Sequence, residues 1–176
     1  SALFSIWNRN FLGSQSHALL VYNDKLKSLV EYIQQLEMES NGKSHSNENE
    51  NLNYSTSPII WGGVGTNGQH SYHQLLHQGT NPFSANFYLV ADQGEELLEH
   101  QEWLAANALA QAKVLKHGNK VKDQSLNYKS LIGNHPSSTI LLDKITPEII
   151  GALLAVHEHK VFCEGALWHI NSFDQW

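Results

Sequence analysis

The residue types best suited to chemistry gather in residues 61–80, whose sequence is WGGVGTNGQHSYHQLLHQGT. The segment holds five glycines and three histidines, and it follows the apolar run at residues 58–60. This order predicts a buried strand, a glycine-rich turn and a helix. Glycine lets a ligand approach the backbone, and a helix N-terminus offers unpaired N–H groups to anionic or polyhydroxylated ligands. We therefore expect a ligand-binding turn, with His70 at the junction of turn and helix.

A nucleotide site is one interpretation of these glycines. Residues 63–68 match G-x-G-x-x-G, and Asp92 lies about where a dinucleotide-binding fold places its ribose-binding acid. The polar residues Thr66 and Asn67 argue against a pyrophosphate site, and Asp92 could equally cap the helix that follows. A nucleotide-binding oxidoreductase half-domain is therefore the second interpretation.

A metal site is a further alternative, because His70, His73 and His77 are spaced three and four residues apart. No nearby carboxylate or cysteine completes a recognisable set of ligands. We therefore expect no metal ion, and we interpret His73 and His77 as structural histidines or as contacts at a subunit interface.

The elements that must position these residues alternate along the chain. Apolar runs predict strands at residues 18–22, 59–61, 86–91 and 138–142, and helical spacing predicts helices at about 24–39, 69–78, 95–116 and from 146 towards 163. This alternation is typical of one α/β domain over residues 1–176, with a parallel sheet covered by helices on both faces. In such folds ligands bind at the carboxyl ends of the strands.

Composition narrows the class of protein. The net charge of −6 argues against a nucleic-acid partner, and no apolar run is long enough to span a membrane. The single cysteine, Cys163, cannot form an intrachain disulfide and suits a reducing compartment, so we expect a cytoplasmic protein. The absence of an initiator methionine and the abrupt end at Trp176 suggest a piece of a longer protein.

Three blocks in the sequence are similar to one known family. The segment GTNGQHSYHQLLHQGT resembles the glycine-rich histidine segment of the glucose-6-phosphate isomerases (phosphoglucose isomerases). The block GALWHINSFDQW at residues 165–176 resembles the start of their C-terminal signature, and MESNGK at residues 38–43 resembles their helix-ending catalytic segment. Because the three blocks occur in the family's order, we expect a C-terminal sugar-isomerase (SIS) domain, a flavodoxin-like three-layer fold, from a larger two-domain enzyme.

The resemblance also implies roles for individual residues. Glu39 matches the catalytic base, His70 matches the residue that helps to open the sugar ring, and Gln35 and Gln175 match substrate-binding glutamines. The family interconverts glucose 6-phosphate and fructose 6-phosphate without a metal or organic cofactor. Its members are homodimers, in which the histidine reaches the partner's active site. We therefore expect the isolated fragment to be inactive, since the second domain and a further C-terminal lysine are missing.

These residue types suit the chemistry. One carboxylate can move a proton between the C1 and C2 carbons of a sugar, and an imidazole titrates near neutral pH. We expect Gln35 and Gln175 to lie close to Glu39 at the ligand-binding edge of the sheet. We expect Glu37 to be a surface residue. A sugar-phosphate-sensing SIS module without catalytic activity remains the other alternative.

Overall fold

The fold is a four-stranded parallel sheet in which the first strand of the chain lies between the second and the third, and the fourth lies beside the third. The computed structural model describes residues 1–92 and 98–174. The register aligns Ser16 with Ile59 on one side and with Phe83 on the other, and it pairs Ala85 with Ser137. The strands are β1 (Ser16–Val21), β2 (Ile59–Val64), β3 (Phe83–Asp92) and β4 (Ser137–Lys144).

Helices connect these strands, as parallel pairing requires. The helices are α1 (Ala2–Ile6, continuing as a π-helix over Trp7–Phe11), α2 (Leu29–Gln34, continuing as a π-helix over Gln35–Glu39), α3 (Gly65–Gln69), α4 (His73–Gln78), α5 (Leu98–His117) and α6 (Pro147–Leu167). Two 3₁₀ turns, Asp24–Leu26 and Gln124–Lys129, complete the described elements. Thr146 caps α6, because its hydroxyl accepts a hydrogen bond from the backbone N–H of Ile149 at 3.2 Å.

Two hydrophobic clusters cover the two faces of the sheet. Successive residues of a strand point to opposite faces. Leu19 and Val21 of β1 accordingly pack with α2 and α6, whereas Ala18 and Leu20 pack with α4 and α5. The predicted α/β class, with helices on both faces of a parallel sheet, is therefore confirmed.

Several predicted boundaries differ from the observed ones. The glycines Gly62 and Gly63 belong to β2 rather than to a turn. The single helix expected over residues 69–78 is two short helices, because Tyr72 has a non-helical backbone with φ −135° and ψ 0°. An N-terminal helix at Ala2–Ile6 was not predicted. Within residues 1–92 and 98–174, no helix combines the length and apolar character needed to cross a membrane.

Candidate functional site

The π-helical segment Gln35–Glu39, called the π segment below, carries two of the expected site residues. Its hydrogen bonds run five residues back instead of four, a geometry that is rare and frequently found at functional sites. Gln35 and Glu39 are exposed at the two ends of the segment, and Glu37 between them is buried. The segment therefore presents one amide and one carboxylate to solvent while a second carboxylate faces the core.

The π segment lies beside the start of β2. The side-chain amide of Gln34 donates to the carbonyl oxygen of Ile60 at 3.0 Å, and the Ile60 N–H donates to the sulfur of Met38 at 3.2 Å. The expectation that Gln35 and Glu39 lie at the carboxyl ends of the strands is thus wrong. A helix that connects two parallel strands runs back along the sheet, so its last residues return to the amino edge.

The prediction that Glu37 is a surface residue is also wrong. Its carboxylate is 1% exposed and accepts a hydrogen bond from the Lys160 ammonium at 2.5 Å. Lys160 also lies 2.9 Å from a carboxylate oxygen of Glu164, one turn further along α6. Burial alone would lower the pKa of Lys160, but the charges of Glu37 and Glu164 outweigh burial and raise it. Burial raises the pKa of Glu164 to about 7 despite the neighbouring ammonium.

Asn41 fixes the chain immediately after the π segment. Its side chain is fully buried, and its amide donates to the Val161 carbonyl at 3.0 Å and to the Glu164 carboxylate at 3.3 Å. The Ser172 hydroxyl donates to the Asn41 side-chain oxygen at 2.6 Å. These bonds join the residues that follow the π segment both to α6 and to the residues that follow α6. Gln175, the other expected substrate-binding glutamine, lies outside the described residues.

His70 lies on the other side of the molecule from Glu39. It follows α3, which begins directly after the carboxyl end of β2, and its ring is exposed. Six residues of β2 separate the two edges of the sheet, a span of about 20 Å at the usual rise of a strand. Glu39 and Gln35 are thus brought together, whereas His70 of the same chain does not reach them.

Three of the four glycines of residues 61–68 lie in close contact with other parts of the chain. A Cβ on Gly62 would lie 2.1 Å from the Leu19 carbonyl, and Gly62 has a φ of +138° that favours glycine. A Cβ on Gly65 would lie 2.3 Å from the Tyr22 ring, and one on Gly68 would lie 2.4 Å from the Tyr72 hydroxyl. Contacts within the protein therefore account for the glycines at positions 62, 65 and 68 without a bound nucleotide. This arrangement argues against the dinucleotide interpretation.

His73 and His77 share one partner. The Nδ1 of His73 lies 3.3 Å from the Gln111 side-chain oxygen, and the Nε2 of His77 lies 2.5 Å from the same oxygen. Burial lowers the pKa of His73, so this ring is neutral at pH 7. In the part of the chain that the structure describes, no group of three or more His, Cys, Asp or Glu side chains could hold a metal ion. The pair is therefore a structural contact between α4 and α5.

Sequence comparison gives consistent matches over the whole chain. A family model described as phosphoglucose isomerase matches residues 1–176. A glucose-6-phosphate isomerase from Shewanella sp. (strain ANA-3) is 46% identical over 191 residues, covering 99% of this chain and 35% of that protein. The corresponding enzyme from Shewanella halifaxensis is 47% identical over 190 residues, with the same coverage. The chain thus spans about a third of the length of these relatives.

Structural comparison agrees. The crystal structure of a glucose-6-phosphate isomerase from Chlamydia trachomatis superimposes with a TM-score of 0.90 and 40% sequence identity, covering 99% of this chain and 34% of that one. A hypothetical protein from Thermus thermophilus superimposes with a TM-score of 0.71 at 20% identity, covering 99% of this chain and 40% of that one. The second likeness concerns the fold alone.

Proposed function

The chain belongs to the phosphoglucose isomerase family, and we propose that it is the C-terminal SIS domain of a longer, cytoplasmic enzyme. That enzyme interconverts glucose 6-phosphate and fructose 6-phosphate through a cis-enediol intermediate, as one step of glycolysis and gluconeogenesis. The observation that carries the proposal is an exposed carboxylate, Glu39, on a segment that is tied to β2 through the Met38 side chain and is followed by the buried, hydrogen-bonded Asn41. The reaction as proposed uses no metal and no organic cofactor.

Glu39 acts as the general base in this proposal. Isomerisation removes a proton from the carbon next to the carbonyl and returns it to the neighbouring carbon, so one carboxylate suffices for both transfers. A positioned general base contributes about 10²–10⁴-fold to the rate. An exposed carboxylate on a fixed backbone suits this role, since the reacting carbons must be able to approach it.

Gln35 binds substrate hydroxyl groups beside the base. It begins the π segment that Glu39 ends, and both side chains are exposed. An amide can donate to one sugar hydroxyl and accept from another, which orients the reacting carbons over the carboxylate. Gln175 is proposed for the same task on the resemblance alone.

His70 assists ring opening in a partner subunit. The length of β2 separates it from Glu39 of its own chain, so a site that uses both residues needs two chains. We therefore propose a homodimer in which each site combines Glu39 of one subunit with His70 of the other. An exposed imidazole can act as a general acid or base at the ring oxygen and the anomeric hydroxyl.

Replacement of Glu39 in the full-length protein tests this function. We expect Glu39→Gln to lower kcat for fructose 6-phosphate by about 10²–10⁴-fold while calorimetric titration still detects binding of 6-phosphogluconate. The matched control is Glu31→Gln, an exposed carboxylate on the same helix, which should keep wild-type turnover. A wild-type protein that binds sugar phosphate without turnover would instead identify a sensor module. Unchanged turnover in Glu39→Gln would remove Glu39 from the mechanism.

The isolated 176-residue chain should be inactive, because the remaining two thirds of the relatives' length supplies the rest of the site in this proposal. Purified chain incubated with fructose 6-phosphate, in an assay that detects glucose 6-phosphate through a coupled dehydrogenase, should give no signal above the buffer control. Measurable turnover by the chain alone would contradict this part of the proposal.

A further inference from the structure

The π segment has two opposed sets of side chains. Gln35 and Glu39 face solvent, and Glu37, two residues before Glu39, points into the protein with 1% exposure. Because Glu37 and Glu39 share one turn of backbone, a contact that holds the Glu37 carboxylate also constrains the backbone from which the Glu39 side chain projects.

Lys160 holds the Glu37 carboxylate. The 2.5 Å contact joins the π segment to the middle of α6, and both side chains are buried, at 1% for Glu37 and 8% for Lys160. Lys160 is held in turn by Glu164 at 2.9 Å. A buried charge that loses its partner is strongly unfavourable. The pair is therefore a rigid link between α6 and the π segment.

Neutral side chains surround the rest of Lys160. A cavity of about 170 Å³ beside it is lined by His17 and His157 among others. Burial lowers the pKa of His157 to about 4 and that of His17 to about 3, so both rings are uncharged at pH 7. Lys160 thus provides the positive charge that pairs with Glu37.

We propose that Lys160 is a positioning residue for the isomerisation, because through Glu37 it fixes the turn that carries Glu39. This inference rests on the proposed function and names a residue that never touches the sugar. A misplacement of about 1 Å in a reacting group can cost about 10²-fold in rate. Loss of the link should therefore lower kcat far more than it raises KM.

Two variants of the full-length protein test the inference. Lys160→Met removes the ammonium, and the double variant Glu37→Gln/Lys160→Met removes both charges of the pair. The buried Glu164 carboxyl, whose pKa burial already raises to about 7, is then expected to bind a proton and become neutral. The matched control is Lys113→Met, an exposed lysine of α5 on the opposite face of the sheet. For each protein, kcat and KM for fructose 6-phosphate and the thermal unfolding midpoint are measured.

The expected pattern separates positioning from stability. Lys160→Met should lower kcat by about 10–10²-fold with KM within about twofold of wild type, whereas Lys113→Met should match wild type. In the double variant the unfolding midpoint should recover towards wild type while kcat stays low. If kcat recovers together with stability in the double variant, or if Lys160→Met has the wild-type kcat, the inference is wrong.

The failure of the inference is distinguishable from failure of the proposed function. If Glu39→Gln is inactive but Lys160→Met is fully active, the proposed function stands and only the positioning role of Lys160 is refuted. If Glu39→Gln keeps its turnover, both the proposed function of Glu39 and the positioning role of Lys160 are refuted.

Discussion

Replacing Glu164 by glutamine should stabilise the protein in a pH-dependent manner. Glu164 is fully buried on α6, and burial raises its pKa from an ordinary 4.5 to about 7. Glutamine has the same shape, can still accept the hydrogen bond from Asn41 and leaves Lys160 paired with Glu37. The substitution therefore removes the cost of ionising a buried carboxyl group and little else.

The sign and size of the effect follow from the pKa. Below about pH 4.5 the carboxyl is protonated in both the folded and the unfolded chain, and it costs nothing. Between about pH 4.5 and 7 the folded chain binds more protons than the unfolded chain, so the free energy of unfolding of the wild type falls as pH rises. At about 1.4 kcal/mol for each pH unit between the two pKa values, the full cost is about 3 kcal/mol above pH 7.

The assay is denaturant or thermal unfolding of wild type and Glu164→Gln at several pH values between about 4.5 and 8. The two proteins should have equal stability near pH 4.5. By about pH 8 the variant should be more stable by up to about 3 kcal/mol, which is about 6–12 °C in the thermal midpoint of a chain of this size. Glu102→Gln, an exposed carboxylate of α5, is the control and should show no such trend.

A difference that is the same at every pH would refute the reasoning, because it would mean that Glu164 contributes through shape or hydrogen bonding and not through its charge. A variant that is less stable than wild type at about pH 8 would refute it more strongly. In that case the Glu164 charge would be a needed partner of Lys160.

Three further predictions concern other contacts. Asn41→Ala should cost roughly 1–3 kcal/mol in the free energy of unfolding, since it leaves buried partners without hydrogen bonds; a urea midpoint equal to that of wild type would contradict this. Thr146→Ala should cost about 0.5–2 kcal/mol through loss of the α6 cap, and Thr146→Ser should restore the wild-type urea midpoint; equal losses in both variants would argue against the cap. The full-length Glu39→Gln and His70→Asn variants should each be inactive. When the two are refolded together, half of the subunits enter mixed dimers, each with one complete site, so about a quarter of wild-type activity should return. No recovery would exclude a site shared between subunits.

Much of the fold could be predicted from the sequence. The apolar runs located all four strands, since strands buried on both faces read as continuous hydrophobic segments. The alternation of strands and helices then indicated parallel pairing. Boundaries were less accurate where glycine is involved, as at Gly62 and Gly63, because a glycine required by close strand packing looks the same in sequence as a glycine required by a turn.

The site was only partly predictable. Motif resemblance names Glu39, Gln35 and His70 as site residues, and these stay predictions; it gave no reason to expect that the Glu37 carboxyl is buried. Its partner Lys160 is 123 residues away along the chain, and a carboxylate between two exposed residues normally faces solvent. Glu37 lies four residues after the buried Ile33 and therefore on the same face of the helix, but the sequence does not show that a carboxylate on this face is buried against Lys160.

Solvent hydrogen exchange tests the account's central claim most directly. Full-length protein is incubated with fructose 6-phosphate in deuterium oxide, and the sugar phosphates are analysed by mass spectrometry. If the Glu39 carboxyl carries the abstracted proton, that proton exchanges with solvent, and the glucose 6-phosphate formed should contain deuterium at C2. Since Glu39 is exposed, even partial exchange accumulates over many turnovers at equilibrium, and sugar phosphate that stays free of deuterium under those conditions would contradict an enediol mechanism with Glu39 as its base.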